Sequence, residues 1–457
     1  MRITHIKVSF IVVLLVTTVI GASIITVSIL AVSKIHNPVS FLFPEIPPRR
    51  LTKTIPDIKT EIDRMIGGKE SFIHVDLKGM EITLYEKGGA ENKLPILRRG
   101  NPDNWGGTPL GKYSAVTKNL SSFSNSAQVY MPKAINFYGR YFIHGEPYYP
   151  SGKKLITNFS GGCVQLLDKN ATTVYNFTKI GMPVVVTDNS ADNPPEYVSK
   201  NRIPLPIIKA EAYLVGDLDS GLIITSKNID KQLPTASLTK LMTAVIISEN
   251  ADLESRVIVT KEALKMSGIT SGLDAGKKFR ILEMFYPLMV ESSNDAAEVI
   301  ASYLGREKTI TLMNNKASYL LMSKTKFIDP SGLDLDNVSS VEDMYRLIRY
   351  VADVRPPLLA ITKGERKTVF GVNPFPTLKN KNIFYDNSEF VGGKAGYLPE
   401  AGYGGSFIFE LKDGNIDRRI VIVILGAKNY LGGRDSLREE TEAIIEWLKE
   451  RYLATTI

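Results

Sequence analysis

A chain of 457 residues with 44% apolar and 23% charged side chains is ordinary globular material. That excludes a disordered or fibrous protein, and it excludes a single domain, because one core stops growing near roughly 250–300 residues. The formal charge of +8 suits an anionic partner such as a wall polymer or a membrane surface, but no arginine-rich run or aromatic-basic stripe points to nucleic acid.

In chain order, residues 8–33 carry no Asp, Glu, Lys or Arg, a run long enough to cross a bilayer, whose core needs roughly 20 helical residues. Arg2 and Lys7 precede it, which places the N-terminus in the cytoplasm and the remainder outside. Residues 1–34 are therefore expected to be a cytoplasmic tip and a single-pass transmembrane signal anchor in the cell membrane; the alternative is a signal peptide cut between Ala22 and Ala31. Residues 35–70 form a linker broken by Pro44, Pro47 and Pro48, followed by a short helix in which Ile58, Ile62, Met65 and Ile66 make one apolar stripe ended by Gly67.

Alternation at Phe72–Leu77, a turn, and then Ile82 and Leu84 predict a β-hairpin. Further runs around Ile143 and over 182–187 make the first folded region, 71–188, mostly β. The polar, proline-bearing stretch 189–206 is a second linker. The region 207–457 opens with two strands about Asp219-Ser220-Gly221. A helix period follows from Thr235, with further helices over 281–290, 295–304, 341–351 (capped by Ser340 with Asp343) and 436–453. Paired strands over 406–411 and 419–425 flank Asp413-Gly414-Asn415. Strands at both ends with helices between imply an α/β core whose terminal strands share one sheet.

Two constellations carry chemistry. Cys163, the only cysteine, is either a small buried hydrophobe or a nucleophile with His144, nineteen residues upstream, as its base. Gly161 and Gly162 beside it let backbone N–H groups approach a substrate oxygen. One cysteine with His74 and His144 makes a poor metal-ligand set, and no cofactor is expected. Beyond residue 207 there is no histidine, so a Ser-His-Asp triad cannot form within that region. Ser237 and Lys240, three apart on a helix, share a face, where a desolvated lysine serves as base. Ser292-Ser293-Asn294 and Lys394-Ala395-Gly396 complete the three-motif order of serine penicilloyl-type enzymes.

Residues 71–188, with Thr108-Pro109-Leu110-Gly111-Lys112-Tyr113, His144-Gly145 and Ser160-Gly161-Gly162-Cys163-Val164, resemble an L,D-transpeptidase domain. The resemblance implies Cys163 as nucleophile, His144 as base, and Ser160 with Gly162 as a shaping turn. The family often has histidine where this chain has Gly161, and arginine or asparagine where it has Gln165. About residues 207–450 resemble the low-molecular-mass D,D-carboxypeptidase branch of the penicillin-binding proteins and β-lactamases. The resemblance rests on Pro234-Thr235-Ala236-Ser237-Leu238-Thr239-Lys240, Glu291-Ser292-Ser293-Asn294-Asp295-Ala296-Ala297 and Asp329-Pro330-Ser331-Gly332-Leu333-Asp334. It implies Ser237 as nucleophile, Lys240 as base, Ser292 as proton relay, Asn294 on the substrate amide, and Lys394 as a positive charge on the strand that includes Gly396. The N–H groups of Ser237 and Tyr397 would form the oxyanion hole. Ala395 stands where the family has threonine or serine. The partners implied are peptidoglycan stem peptides and β-lactam inhibitors. The expectation is a bifunctional wall enzyme in which the serine domain trims pentapeptide stems and the cysteine domain cross-links the tetrapeptides. Alternatives are a serine domain that only binds D-alanyl stems, and a cysteine domain that hydrolyses.

Overall fold

A computed structural model of the chain describes residues 54–55, 58–188, 203–266, 271–365, 375, 377–414, 416–428 and 435–453. The expected membrane anchor, most of the first linker, and 189–202 of the second lie outside the described residues. Among the described residues no helix is long and apolar enough to cross a membrane.

The first region is β-rich. A helix, Ile58–Gly67, buries Ile62 and Met65 against Phe72 and Val185. It runs one residue past the expected stop, and the chain then turns at Lys69, which has positive φ. The strands are β1 (Phe72–Asp76), β2 (Glu81–Glu86), β3 (Gly89–Pro95), β4 (Gly111–Ser114), β5 (Thr117–Ser124), β6 (Val129–Tyr138), β7 (Tyr141–His144), β8 (Val164–Gln165) and β9 (Pro183–Thr187), with a helix Asp168–Phe177 before the last. They form two sheets, ordered β3-β2-β1-β9-β4 and β5-β6-β7-β8. One core lies between them, with Ile73, Ile82 and Val184 from one sheet and Ile135, Ile143 and Val164 from the other.

The second region is α/β. Its five-stranded antiparallel sheet runs in the order Ile223–Lys227, Ala212–Asp217, Ile416–Ala427, Gly402–Asp413, Phe390–Leu398, so the first and last strands do share it. Both faces are covered, which explains the unbroken apolar run near residue 420. Val421, Val423 and Leu425 face the helical core, while Ile420, Ile422 and Ile424 face the C-terminal helix through Leu437, Ile444 and Leu448. Three expectations need correction. The segment from Thr235 begins as a 3₁₀ turn, Ala236–Leu238, and becomes α-helical only over Thr239–Asn250, because Ala236 adopts positive φ. Asn294 does not lie between helices but opens the helix Asn294–Leu304, capped by the Ser293 hydroxyl accepting from the Ala296 N–H at 3.2 Å. The helices Arg306–Tyr319 and Pro356–Lys363 were not anticipated; the first has apolar and polar residues spread around it rather than in a stripe.

The two regions are docked through a buried polar network. Glu249, fully buried, sits 2.9 Å from Lys316 Nζ and 3.2 Å from Arg355 Nη2, both also fully buried. The Tyr138 and Tyr350 hydroxyls donate to its two oxygens. Lys316 donates on to the Tyr113 hydroxyl at 3.0 Å, and Arg355 to the Tyr141 hydroxyl at 2.8 Å and the Gly107 carbonyl at 2.9 Å. Burial works against charge on Glu249, but Lys316 and Arg355 hold its carboxyl below the ordinary value. Trp105 stacks on Phe285 at 5.2 Å beside this network.

Removing the single anion strands two buried cations, so Glu249→Gln is expected to cost about 3–5 kcal/mol of stability. Urea unfolding followed by tryptophan fluorescence reports this, since Trp105 lies at the interface; a loss under about 1 kcal/mol contradicts it.

Candidate active sites

Cys163 lies one residue before β8, and β8 pairs in parallel with β7 in the register Ile143 to Val164 and His144 to Gln165. Extending that register sets Cys163 opposite Phe142. Since side chains alternate along a strand, Cys163 and His144 share one face as diagonal neighbours, about 7–8 Å apart at Cα. Both line a cleft of about 540 Å³, together with Ser160 and Gln165. The His144 ring is buried, and its Nδ1 lies 2.6 Å from the Gly145 carbonyl. A carbonyl only accepts, so Nδ1 carries the proton and Nε2 is left as the basic nitrogen. Burial pushes the imidazole down to about 4. The sulfur sits at the floor of the cleft and is only partly exposed. Burial pushes the thiol up to about 11, against a backbone hydrogen bond from Phe142 and the charge of Arg140. Both shifts favour the uncharged forms of the thiol and the imidazole.

The turn before Cys163 is held by Ser160. Its hydroxyl donates to the Cys163 carbonyl and accepts from the Gly162 N–H at 3.1 Å. The Gly162 amide, expected to face substrate, is thus engaged inside the turn. Gly162 has φ of 112°, and a Cβ there would meet the Tyr141 ring at 2.4 Å, so the position requires glycine; Gly161 faces open space.

In the second region Lys240 is fully buried. Its Nζ lies 3.0 Å from Ser237 Oγ, 2.7 Å from Asn294 Oδ1 and 2.6 Å from the Ser331 carbonyl. Burial first, and the charge of Lys394 second, push the ammonium well below its usual range, against the pull of Asp329. When deprotonated, the amine can donate to Asn294 and Ser331 and turn its lone pair to the serine hydroxyl. Ser292 adopts positive φ, and its buried hydroxyl has no hydrogen-bond partner, which suits a proton relay. Lys394 is buried with Nζ 3.0 Å from the Ala395 carbonyl. At Gly396 a Cβ would lie 2.8 Å from the Ser237 nitrogen, so the strand runs directly against the nucleophile's turn. Tyr397 is half exposed and stacks on Tyr403.

The structure thus joins Ser237, Lys240 and Asn294 directly, and sets Ser292, Lys394 and Gly396 around them. Sequence reasoning missed the part played by Asp329, whose carboxylate collects the N–H groups of Ser331, Gly332 and Asp334 and the Asn337 amide. That loop presents the Ser331 carbonyl to Lys240. The signal was the turn-forming Asp-Pro-Ser-Gly run. It also missed Arg140, Asn250 and Asp252 in the Cys163 cleft, which no local pattern marks.

Comparisons with known proteins bear on both sites. Residues 199–429 match the family model described as D-alanyl-D-alanine carboxypeptidase, and residues 70–186 that of the L,D-transpeptidase catalytic domain. Over 229 residues the chain is 33% identical to a D-alanyl-D-alanine endopeptidase of Pseudomonas aeruginosa, covering 48% of this chain and 72% of that one. It is 29% identical to the D-alanyl-D-alanine carboxypeptidase DacC of Escherichia coli, covering 56% and 64%. A solved D-alanyl-D-alanine carboxypeptidase of Mycobacterium tuberculosis matches with a TM-score of 0.49 at 24% identity, covering 57% of this chain and 99% of that one.

A thiol held at about 11 makes a definite prediction for the single cysteine. Because only the thiolate is alkylated, the iodoacetamide rate at Cys163 should rise about tenfold per pH unit from pH 7 to 10 without a plateau. Intact-protein mass measures it; a rate independent of pH above about 6 would reveal a standing thiolate–imidazolium pair instead.

Proposed function

The chain belongs to the D-alanyl-D-alanine carboxypeptidase family and carries an L,D-transpeptidase catalytic domain ahead of the serine peptidase, and from that premise we propose a bifunctional peptidoglycan-remodelling enzyme. The observation that carries the reading is that each candidate nucleophile shares its site with a base whose hold on a proton is lowered by burial: Ser237 with Lys240, Cys163 with His144. In the serine domain, Lys240 takes the Ser237 proton as the hydroxyl attacks the D-alanyl-D-alanine carbonyl. The terminal D-alanine leaves with a proton relayed through Ser292, and water releases the trimmed stem. In the cysteine domain, His144 takes the thiol proton as Cys163 attacks the carbonyl of the third stem residue. D-Alanine departs and an amine of a second stem accepts the acyl group. The apolar run over 8–33 would anchor both domains outside the cytoplasm, and β-lactams would acylate Ser237.

A second reading of the serine domain is favoured by Ala395, which offers no hydroxyl to a terminal carboxylate. A site without that contact suits cleavage of a D-alanyl bond inside a cross-bridge, as the name of the Pseudomonas relative suggests.

Muropeptide mass spectrometry separates these. With pentapeptide sacculi, the wild-type protein should release D-alanine and accumulate L,D cross-links. Cys163→Ala should lose the cross-links and keep trimming; Ser237→Ala should do the reverse when given tetrapeptides. Conversion of cross-linked dimers to monomers without release of free D-alanine would replace carboxypeptidase by endopeptidase. L,D cross-links formed by Cys163→Ala would sink the cysteine assignment. A fluorescent penicillin should label the wild type and Cys163→Ala but not Ser237→Ala, and labelling should fall at least about a hundredfold in Lys240→Ala with loss of the base.

A further inference from the structure

The cleft over Cys163 is not built by one domain. Asn250 and Asp252 of the serine domain also line it, at the end of the helix Thr239–Asn250 that begins beside Ser237. The join is tight. Asn250 Nδ2 donates to the Ile246 carbonyl at 2.9 Å and reaches the Tyr138 hydroxyl at 3.4 Å, and a Cβ on Gly139 would lie 2.8 Å from Asn250 Oδ1. The hairpin tip between β6 and β7, which carries Arg140, therefore rests on the end of that helix.

The charges on this wall are ordered. Among the described residues Arg140 is the one guanidinium lining the cleft, and the thiol feels its charge. Asp252 is the one carboxylate lining it. Its Oδ1 accepts from the Glu254 N–H at 3.2 Å and its Oδ2 from the Ser255 hydroxyl at 3.0 Å. A carboxylate has about four lone-pair sites, so two remain for a ligand. The preceding helix terminus adds the negative end of its dipole. On the floor, Gln165 Oε1 is buried and has no hydrogen-bond partner, an acceptor waiting for a donor. A carboxylate, a helix carbonyl end and an unpaired amide oxygen together call for a cationic N–H donor.

We propose that this wall is the acceptor subsite of the cysteine enzyme, in which Asp252 of the serine domain holds the primary ammonium of the second stem peptide. The inference rests on the acyl-transfer reading above. The bound ammonium loses one proton to water. The neutral amine then forms a C–N bond with the thioester carbon as the C–S bond breaks, and His144 takes the second amine proton and delivers it to the departing Cys163 sulfur. One cross-link amide and one free thiol result.

The test uses the full-length protein, a tetrapeptide donor, and a stem peptide with a free side-chain amine as acceptor. Asp252→Asn is expected to raise the acceptor KM about tenfold, and Asp252→Lys further, with hydrolysis of the thioester taking the larger share of turnover. The loss should appear in acceptor KM rather than in the rate of thioester formation, read by intact mass before acceptor is added. Added salt should raise the wild-type acceptor KM and leave that of Asp252→Asn nearly level, as screening of an exposed charge requires. An unchanged acceptor KM in Asp252→Lys overturns the proposal. So does slower thioester formation with acceptor KM intact, which would move Asp252 to the donor. Absence of any thioester in the wild type would instead defeat the acyl-transfer reading, and this proposal with it, at a step that precedes the acceptor.

Discussion

Glu249 is buried at the end of the helix that begins beside Ser237, and it is stable there only because Lys316 and Arg355 are brought to it and four tyrosine rings close around them. An isolated carboxylate in that position would cost several kcal/mol. The two cations come from the serine domain itself, and the first domain completes the cluster with the Tyr138, Tyr113 and Tyr141 hydroxyls and the Gly107 carbonyl. The hairpin tip at Tyr138–Tyr141, the start of the strand bearing His144, and the wall of the Cys163 cleft all take their positions from this contact.

The same physical device, desolvation of a base by burial, acts at both sites. Lys240 is a strong base made weaker: desolvation and the Lys394 charge lower its hold on a proton beside Ser237. His144 is a moderate base made weaker still, facing a thiol made less acidic. The helix Thr239–Asn250, about 18 Å long, spans the distance between the two chemistries, with Lys240 at one end and Asn250 at the other.

Much of the local structure was legible. Alternation over residues 72–77, the Ser340 cap and the two-faced apolar run near residue 420 name their elements, because each is set by neighbours within one strand or turn of helix. The Ser-x-x-Lys spacing places Lys240 against Ser237 for the same reason. Arg306–Tyr319 was not legible: its buried face is Thr309, Met313, Lys316 and Ala317, and two of those four are polar, Lys316 being buried against Tyr113 of the other domain, so no apolar stripe marks it. The 3₁₀ start at Ala236 was hidden too, since it depends on Gly332, where a Cβ would meet the Ala236 carbonyl at 1.8 Å from a loop almost a hundred residues away.

By itself the sequence determined the order of the motifs and singled out the candidate nucleophiles and bases, because those follow from residue identity and short spacing. What it could not carry was the protonation state of the bases and the second wall of the cysteine cleft. Desolvation is a property of everything packed around a group, and Asp252 comes to line the cleft of Cys163 only through the docking of one domain on the other. Only the tertiary structure decided those.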